Sequence, residues 1–169
     1  MRQSALKRVV VIGSSRKDGN TRQVVDDLSP MLDFDILDLN DYQFGYYDYG
    51  LRNSNDDFLA LIKRMVNEYD VFIFVTPVYW YSMSGIMKTF FDRITDLLDI
   101  EKELGRKLRS KNMAVVTSSI GNHLGNSFWF PFIETAKYLG MNYIGNIHTI
   151  VNEDYTENLK FFAESLENH

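Results

Sequence analysis

Short runs of apolar, β-branched residues alternate along the chain with longer stretches whose apolar positions recur at helical spacing. RVVVI at residues 8–12 reads as a buried strand, and residues 21–28 as a helix with Asn20 as its N-cap, ended or kinked by Pro30. FDILDL at 34–39 alternates and predicts a more exposed strand. Residues 56–68 predict an amphipathic helix with Phe58, Leu59, Ile62, Met65 and Val66 on one face. Ser54 and Asp57 form its capping box, with Asp where Glu is usual. A third strand over 71–76 leads to a helix over 85–98 with Ile86, Phe90, Ile94 and Leu97 stacked. A fourth strand over 112–118 is followed by a helix over 128–139 that Gly140 stops. A fifth strand over 142–148 and a helix over 156–166 complete the pattern. Five strands alternating with five helices predict an α/β domain with a parallel sheet and right-handed crossovers. No repeat or linker interrupts it, so residues 1–169 read as one domain.

The loops carry the chemistry. GSSRKDGNT at residues 13–21 follows the first strand and restarts as a helix, so loop amides and the positive end of the helix dipole converge there on an anion site. TPVYWYSMSGIMKTFFDR at residues 76–93 follows the third strand, and together the two loops suit a ligand with a phosphate at one end and a flat ring at the other. One long irregular stretch, residues 40–53, holds four of the ten tyrosines; covering the site, contacting another subunit and simple packing are all open to it.

Composition narrows the choice. The formal charge of −5 points away from nucleic acid and anionic membrane as partners, since both need a basic footprint. With no cysteine there are no disulfides, thiolate nucleophiles or cysteine-ligated clusters, and three scattered histidines (His123, His148, His169) give no reason to expect a metal. The apolar run in MRQSALKRVVVIG is too short for a signal segment, no run approaches membrane-spanning length, and a cytoplasmic protein is the default expectation.

Among phosphate-binding α/β domains, the fingerprint G-x-G-x-x-G is absent, and Asn20-Thr21 stands where a Walker loop needs Lys-Ser/Thr. A receiver domain needs acidic residues where Gly-Ser-Ser and Thr-Pro-Val stand. The flavodoxin-like arrangement remains: a three-layer α/β/α sandwich with strand order 2-1-3-4-5 and a ligand at the switch point between strands one and three. Here the chain resembles the NADPH-dependent FMN reductase-like family of the flavodoxin superfamily. The two loops above carry the resemblance, with LRSKNMAVVTSSIGNH at residues 108–123 as a third passage.

The resemblance implies FMN as cofactor and NAD(P)H as electron donor. Hydride would pass to FMN and then to a quinone, azo, flavin or similar small-molecule acceptor. It also implies a homodimer or a homotetramer built as a dimer of dimers. Ser14, Arg16, Asn20 and Thr21 form the phosphate set. Pro77, Val78, Tyr79 and Trp80 form the ring loop, with backbone N–H groups toward the flavin's polar edge and the two aromatics flanking the ring or lining the substrate pocket. Ser118, Ser119 and Gly121 meet the ring's pyrimidine side, Gly121 by letting the backbone approach closely. Lys88, Asp92 and Arg93 belong to structural or interface ion pairs, and His123 reads as a surface residue. No catalytic side chain is required, because flavin N5 carries the chemistry. The rivals are a flavodoxin-type electron carrier, for which Arg16, Lys17 and the modest charge are atypical, and an FMN-binding regulatory module without turnover.

Overall fold

Residues 8–12 have no polar side chain after Arg8, which suits a strand covered on both faces, and such strands belong in parallel sheets. In a computed structural model, which describes residues 6–167, they form β1 (Arg8–Ile12). β2 (Asp35–Asp38), β3 (Val71–Pro77), β4 (Asn112–Ser119) and β5 (Asn142–Ile150) complete a sheet of order β2-β1-β3-β4-β5. All four pairings are parallel. The start of the chain and His169 lie outside the described residues.

The helices α1 (Asn20–Leu28) and α7 (Thr156–Glu167) cover one face. Their Val24, Val25, Leu28, Leu159 and Leu166 pack on Val10, Ile73 and Val116. On the other face, α2 (Phe58–Glu68), α3 (Gly85–Arg93) and α6 (Phe130–Leu139) enclose Phe72, Phe74 and Val115 with a cluster of phenylalanines. Two short helices, α4 (Asp96–Asp99) and α5 (Lys102–Arg106), lie between α3 and β4. The three-layer flavodoxin-like sandwich is as expected.

Local differences have local causes. Gly19, in extended conformation, is the N-cap of α1, and Asn20 is its first helical residue rather than its cap. The proposed capping box does not form: the Asp57 carboxylate accepts from Gln43 N at 2.7 Å and Asp56 accepts from Phe58 N at 3.0 Å, so the helix starts at Phe58. On α2, Leu61 is buried and Leu59 only partly so. The helix expected over 85–98 breaks after Arg93, where Ile94, Thr95 and Leu97 N–H groups bond three residues back and tighten the turn. β2 is shorter than expected, and only its first two residues are exposed. A short 3-10 turn (Asn126–Phe128) precedes α6, and Gly140, at φ 73°, ends that helix in the left-handed conformation open to glycine.

At the end of β1, Gly13 N bonds to Val75 O at 2.9 Å and extends the β1–β3 pairing. A Cβ on Gly13 would lie 2.8 Å from Met87 Cε and 2.9 Å from Met87 Cβ, so α3 sits on this residue. Gly13→Ala is therefore expected to lower stability by about 1–3 kcal/mol, the usual cost of overpacking a filled core. Urea unfolding reads this directly, and an unchanged midpoint would show that Met87 moves aside freely.

Candidate functional site

The loops after β1, β3 and β4 meet at the C-terminal edge of the sheet, beside the point where strand order reverses. They enclose a cavity of about 520 Å³, within the range of small-ligand sites. Ten of the eleven expected site residues line it: Ser14, Arg16, Asn20, Thr21, Pro77, Val78, Tyr79, Trp80, Ser118 and Ser119. Gly121 does not. Its carbonyl accepts from Ser119 Oγ at 2.9 Å, and a Cβ there would meet His123 Nδ1 at 2.8 Å, so the close approach it permits is to His123. The pattern missed Gly19, Tyr81, Ile120, His123 and Val151 as lining residues. Tyr81 and His123 stood inside the quoted motifs, but only the fold turns them toward the cavity. The tyrosine-rich loop at 40–53 is not part of this wall.

The first loop is built to receive an anion. Within α1 the Arg22 and Gln23 amides bond back to Gly19 O, while the Asn20 and Thr21 N–H groups have no acceptor among the described residues. Ser14, Thr21 and Ser118 are buried hydroxyl residues, and Thr21 Oγ1 lies 3.2 Å from Ser118 Oγ across the cavity floor. Asn40 Nδ2 donates to Ser14 O at 2.7 Å and to Asp38 Oδ1 at 2.8 Å, which steadies the loop from β2. Arg16 has no ion-pair partner among the described residues, and its Nε lies 3.6 Å from where a Gly19 side chain would begin. Lys17 instead pairs with Asp41, and that hydrogen bond raises its pKa. No carboxylate stands among the lining residues. Free helix-end amides, buried hydroxyls and one unpaired guanidinium fit the phosphate of FMN.

Ser84 ties the second loop to the first. Its Oγ donates to Gly13 O at 2.6 Å and accepts from Met87 N at 3.3 Å, capping α3, while its own N–H donates to Thr76 Oγ1 at 3.0 Å. Between β3 and Ser84 the chain makes a tight turn in which Tyr79 and Ser82 exchange both backbone bonds, at 2.9 and 3.1 Å. Its central residues are Trp80 (φ 50°) and Tyr81 (φ 64°), both in the region that favours glycine. The Val78 and Tyr79 amides are already spent on Ser118 O and Ser82 O, whereas those of Trp80 and Tyr81 have no acceptor among the described residues. Donors toward a ring would thus come from the turn's tip. Tyr79 reaches across the mouth, its hydroxyl 2.8 Å from Ser15 Oγ, and Tyr81 meets His123 edge-on with ring centroids 5.6 Å apart.

Trp80 is 95% exposed, so its conformation is held without packing. Trp80→Gly should raise stability by about 1 kcal/mol through relief of left-handed strain, net of the freer unfolded chain. Thermal unfolding measures the sign, and a fall in Tm would contradict the strain argument.

A sheet of this order with a phosphate-type loop at its switch point defines a flavodoxin-like mononucleotide-binding protein. The family model for NADPH-dependent FMN reductase matches residues 6–156, and the chain belongs to that family. It is 30% identical over 99 residues to a Bacillus subtilis protein named as an NAD(P)H-dependent FMN-containing oxidoreductase, YwqN, across 55% of this chain and 54% of that one. The match thus spans about half the length of that curated relative. Among solved structures, the Trp repressor binding protein of Bacillus subtilis superposes with a TM-score of 0.72 at 24% identity, covering 95% of this chain and 99% of that one. Flavodoxin 1 of Bacillus cereus superposes at 0.61 and 16% identity, covering 96% and 99%. Both likenesses concern the fold.

Proposed function

We propose that the protein is an FMN-dependent NAD(P)H oxidoreductase that reduces a small-molecule acceptor of the quinone, azo or flavin kind. The observation that carries this reading is the cavity at the switch point, where an anion cradle at one end faces an aromatic turn at the other. Family membership and the name of its Bacillus relative support it. When bound, FMN supplies the capacity to take up hydride from the nicotinamide and pass it on.

The chain's own residues bind and orient. Ser14, Arg16, Asn20 and Thr21 hold the phosphate, with Ser118 on the cavity floor. Pro77 and Val78 lay the ring loop along the crevice, and the Trp80 and Tyr81 amides serve the ring's polar edge. Tyr79, Trp80, Tyr81 and His123 bound the space left for the nicotinamide and the acceptor in turn, while Ser119 faces it from β4. Gly121 shapes the third loop from behind.

Anaerobic mixing of the FMN-loaded protein with NADH and with NADPH tests the reading. Bleaching of the flavin spectrum by either, followed by recovery with a quinone, is the expected result. A flavin that binds but stays oxidised would leave an electron carrier or a regulatory module.

Residues 1–169 are proposed to act as one domain, in the cytoplasm, as a homodimer or homotetramer. Exposed Phe130 and Ile133, one turn apart on α6, support association, and light scattering of the purified protein tests it. No described helix is long and apolar enough to cross a membrane.

A further inference from the structure

One residue of the cavity wall is hydrogen-bonded to a histidine behind it that the binding roles above leave unused. Ser119, at the end of β4, lines the cavity, and its Oγ lies 2.7 Å from Nε2 of His148 on β5. His148 is half-buried, is paired in register with Thr117, and does not itself line the cavity. Ser119 has one proton and donates it to Gly121 O at 2.9 Å. The Nε2 position of His148 must then be the donor in the second bond. An imidazole N–H therefore ends on a hydroxyl that faces the ligand space.

We propose that Ser119 and His148 form a proton relay into the cavity, with His148 a positioning residue that feeds the Ser119 hydroxyl. The proposal rests on the oxidoreductase reading above. A quinone that receives hydride becomes a hydroquinone monoanion and needs one further proton. The Ser119 hydroxyl turns its proton from Gly121 O to that oxyanion and releases it there as Ser119 Oγ takes the Nε2 proton of protonated His148. His148 is left neutral with its proton at Nδ1, and regains the other from water.

The surroundings suit a group that gives up a proton readily. Burial lowers the pKa of His148 below its ordinary 6.5, the charge of His123 lowers it further, and Glu153 before α7 works the other way. On α6, over the same face of the sheet, Glu134 is paired with Lys137. Acceptor reduction should therefore slow as pH rises through an ionisation below 6.5.

The test compares p-benzoquinone, which needs the proton, with ferricyanide, which takes electrons alone. In Ser119→Ala and His148→Gln, reoxidation of the reduced holoprotein by benzoquinone should fall about 10- to 100-fold, toward the low end of general-acid contributions, and lose its pH dependence. Ferricyanide should reoxidise His148→Gln at the wild-type rate, and Ser119→Thr, which keeps the hydroxyl, should keep the benzoquinone rate. Equal slowing of His148→Gln with both acceptors, or no slowing with benzoquinone, would overturn the relay. A second readout needs no flavin. Nitrogen-15 NMR of the flavin-free protein should show His148 protonated at Nε2, with a shift in Ser119→Ala; an Nδ1–H ring indifferent to Ser119 would also overturn the relay. Wild-type protein that binds no FMN, or whose FMN resists reduction by either nucleotide, would instead remove the oxidoreductase reading, and the NMR result would still decide whether the pair is coupled.

Discussion

Arg93→Ala is expected to cost about 3–5 kcal/mol of folding stability, the range for stripping one partner from a buried ion pair. Arg93 is 1% exposed and all five of its N–H groups are placed. Nε donates to Asp96 Oδ2 at 2.9 Å; Nη1 to Asp56 Oδ2 at 2.6 Å and Gly45 O at 3.1 Å; Nη2 to Asp56 Oδ1 and Asn53 O, both at 3.1 Å. The guanidinium also stacks 4.8 Å from the Phe58 ring centre. Removing it leaves the buried Asp96 carboxylate and two loop carbonyls without their donor, and releases the 40–57 segment from α3. Arg93→Lys keeps the charge and loses the fork, so it should recover only part of the deficit. Lys88→Ala, which breaks the exposed pair with Asp92, should change stability by roughly 0.5 kcal/mol or less. Chemical denaturation distinguishes these cases; a loss under about 1 kcal/mol for Arg93→Ala would show that the network contributes little.

The same network has a pH signature. Burial disfavours the charged form of Asp56, but hydrogen bonds from Arg93 and from the Gly45 and Phe58 amides outweigh it and hold its pKa below the ordinary 3.8. A depressed carboxyl stabilises the fold above its unfolded pKa, and that contribution disappears as pH falls through the folded value. In wild-type protein this part of the acid loss should begin near pH 4 and deepen below it, and Arg93→Ala, which keeps only the two amide donors, should show less of it.

The second large effect concerns affinity. Ser14→Ala combined with Arg16→Ala should weaken FMN binding by about two decades or more, since each hydrogen bond to a charged group contributes about 1.5–3 kcal/mol and a decade is about 1.4 kcal/mol. Quenching of flavin fluorescence on titration gives the constant directly. Because Arg16 is exposed and Ser14 contributes only a hydroxyl, the fold should survive both changes. Equal affinities would place the phosphate elsewhere and remove the role assigned to this loop.

Strand positions were legible because parallel strands buried on both faces read as continuous apolar runs, and RVVVI and VFIFV leave little choice of partner. Helix ends were less legible. Ser54 and Asp57 had capping chemistry, but Asp57 is used by Gln43, fourteen residues earlier, and no local pattern records that competition. The break after Arg93 was hidden in the same way: Ile94 and Leu97 continue the apolar stripe, while the ion pair with Asp96 and the shortened backbone bonds divide the helix.

At the site, loop chemistry named most of the wall. Gly, Ser, Asn and Arg after a buried strand mark an anion cradle wherever it occurs, and a Pro-led aromatic run after another strand marks a crevice. Gly121 was misplaced relative to the cavity because a glycine shows only that something comes close, and here the neighbour is a histidine two residues on. His123 read as a surface residue since nothing local distinguishes a loop histidine that faces solvent from one that faces a cavity.

The order of elements, their burial and the two ligand loops follow from residue type and spacing, because short-range sterics and the periodicity of apolar positions are properties of neighbouring residues. Which side chains meet across the sheet was decided by the assembled fold. Thr21 with Ser118, Tyr79 with Ser15, Arg93 with Asp56 and Ser119 with His148 are separated by 97, 64, 37 and 29 residues. Pairings at that range depend on strand register and crossover geometry, which bring distant loops to one edge of the sheet.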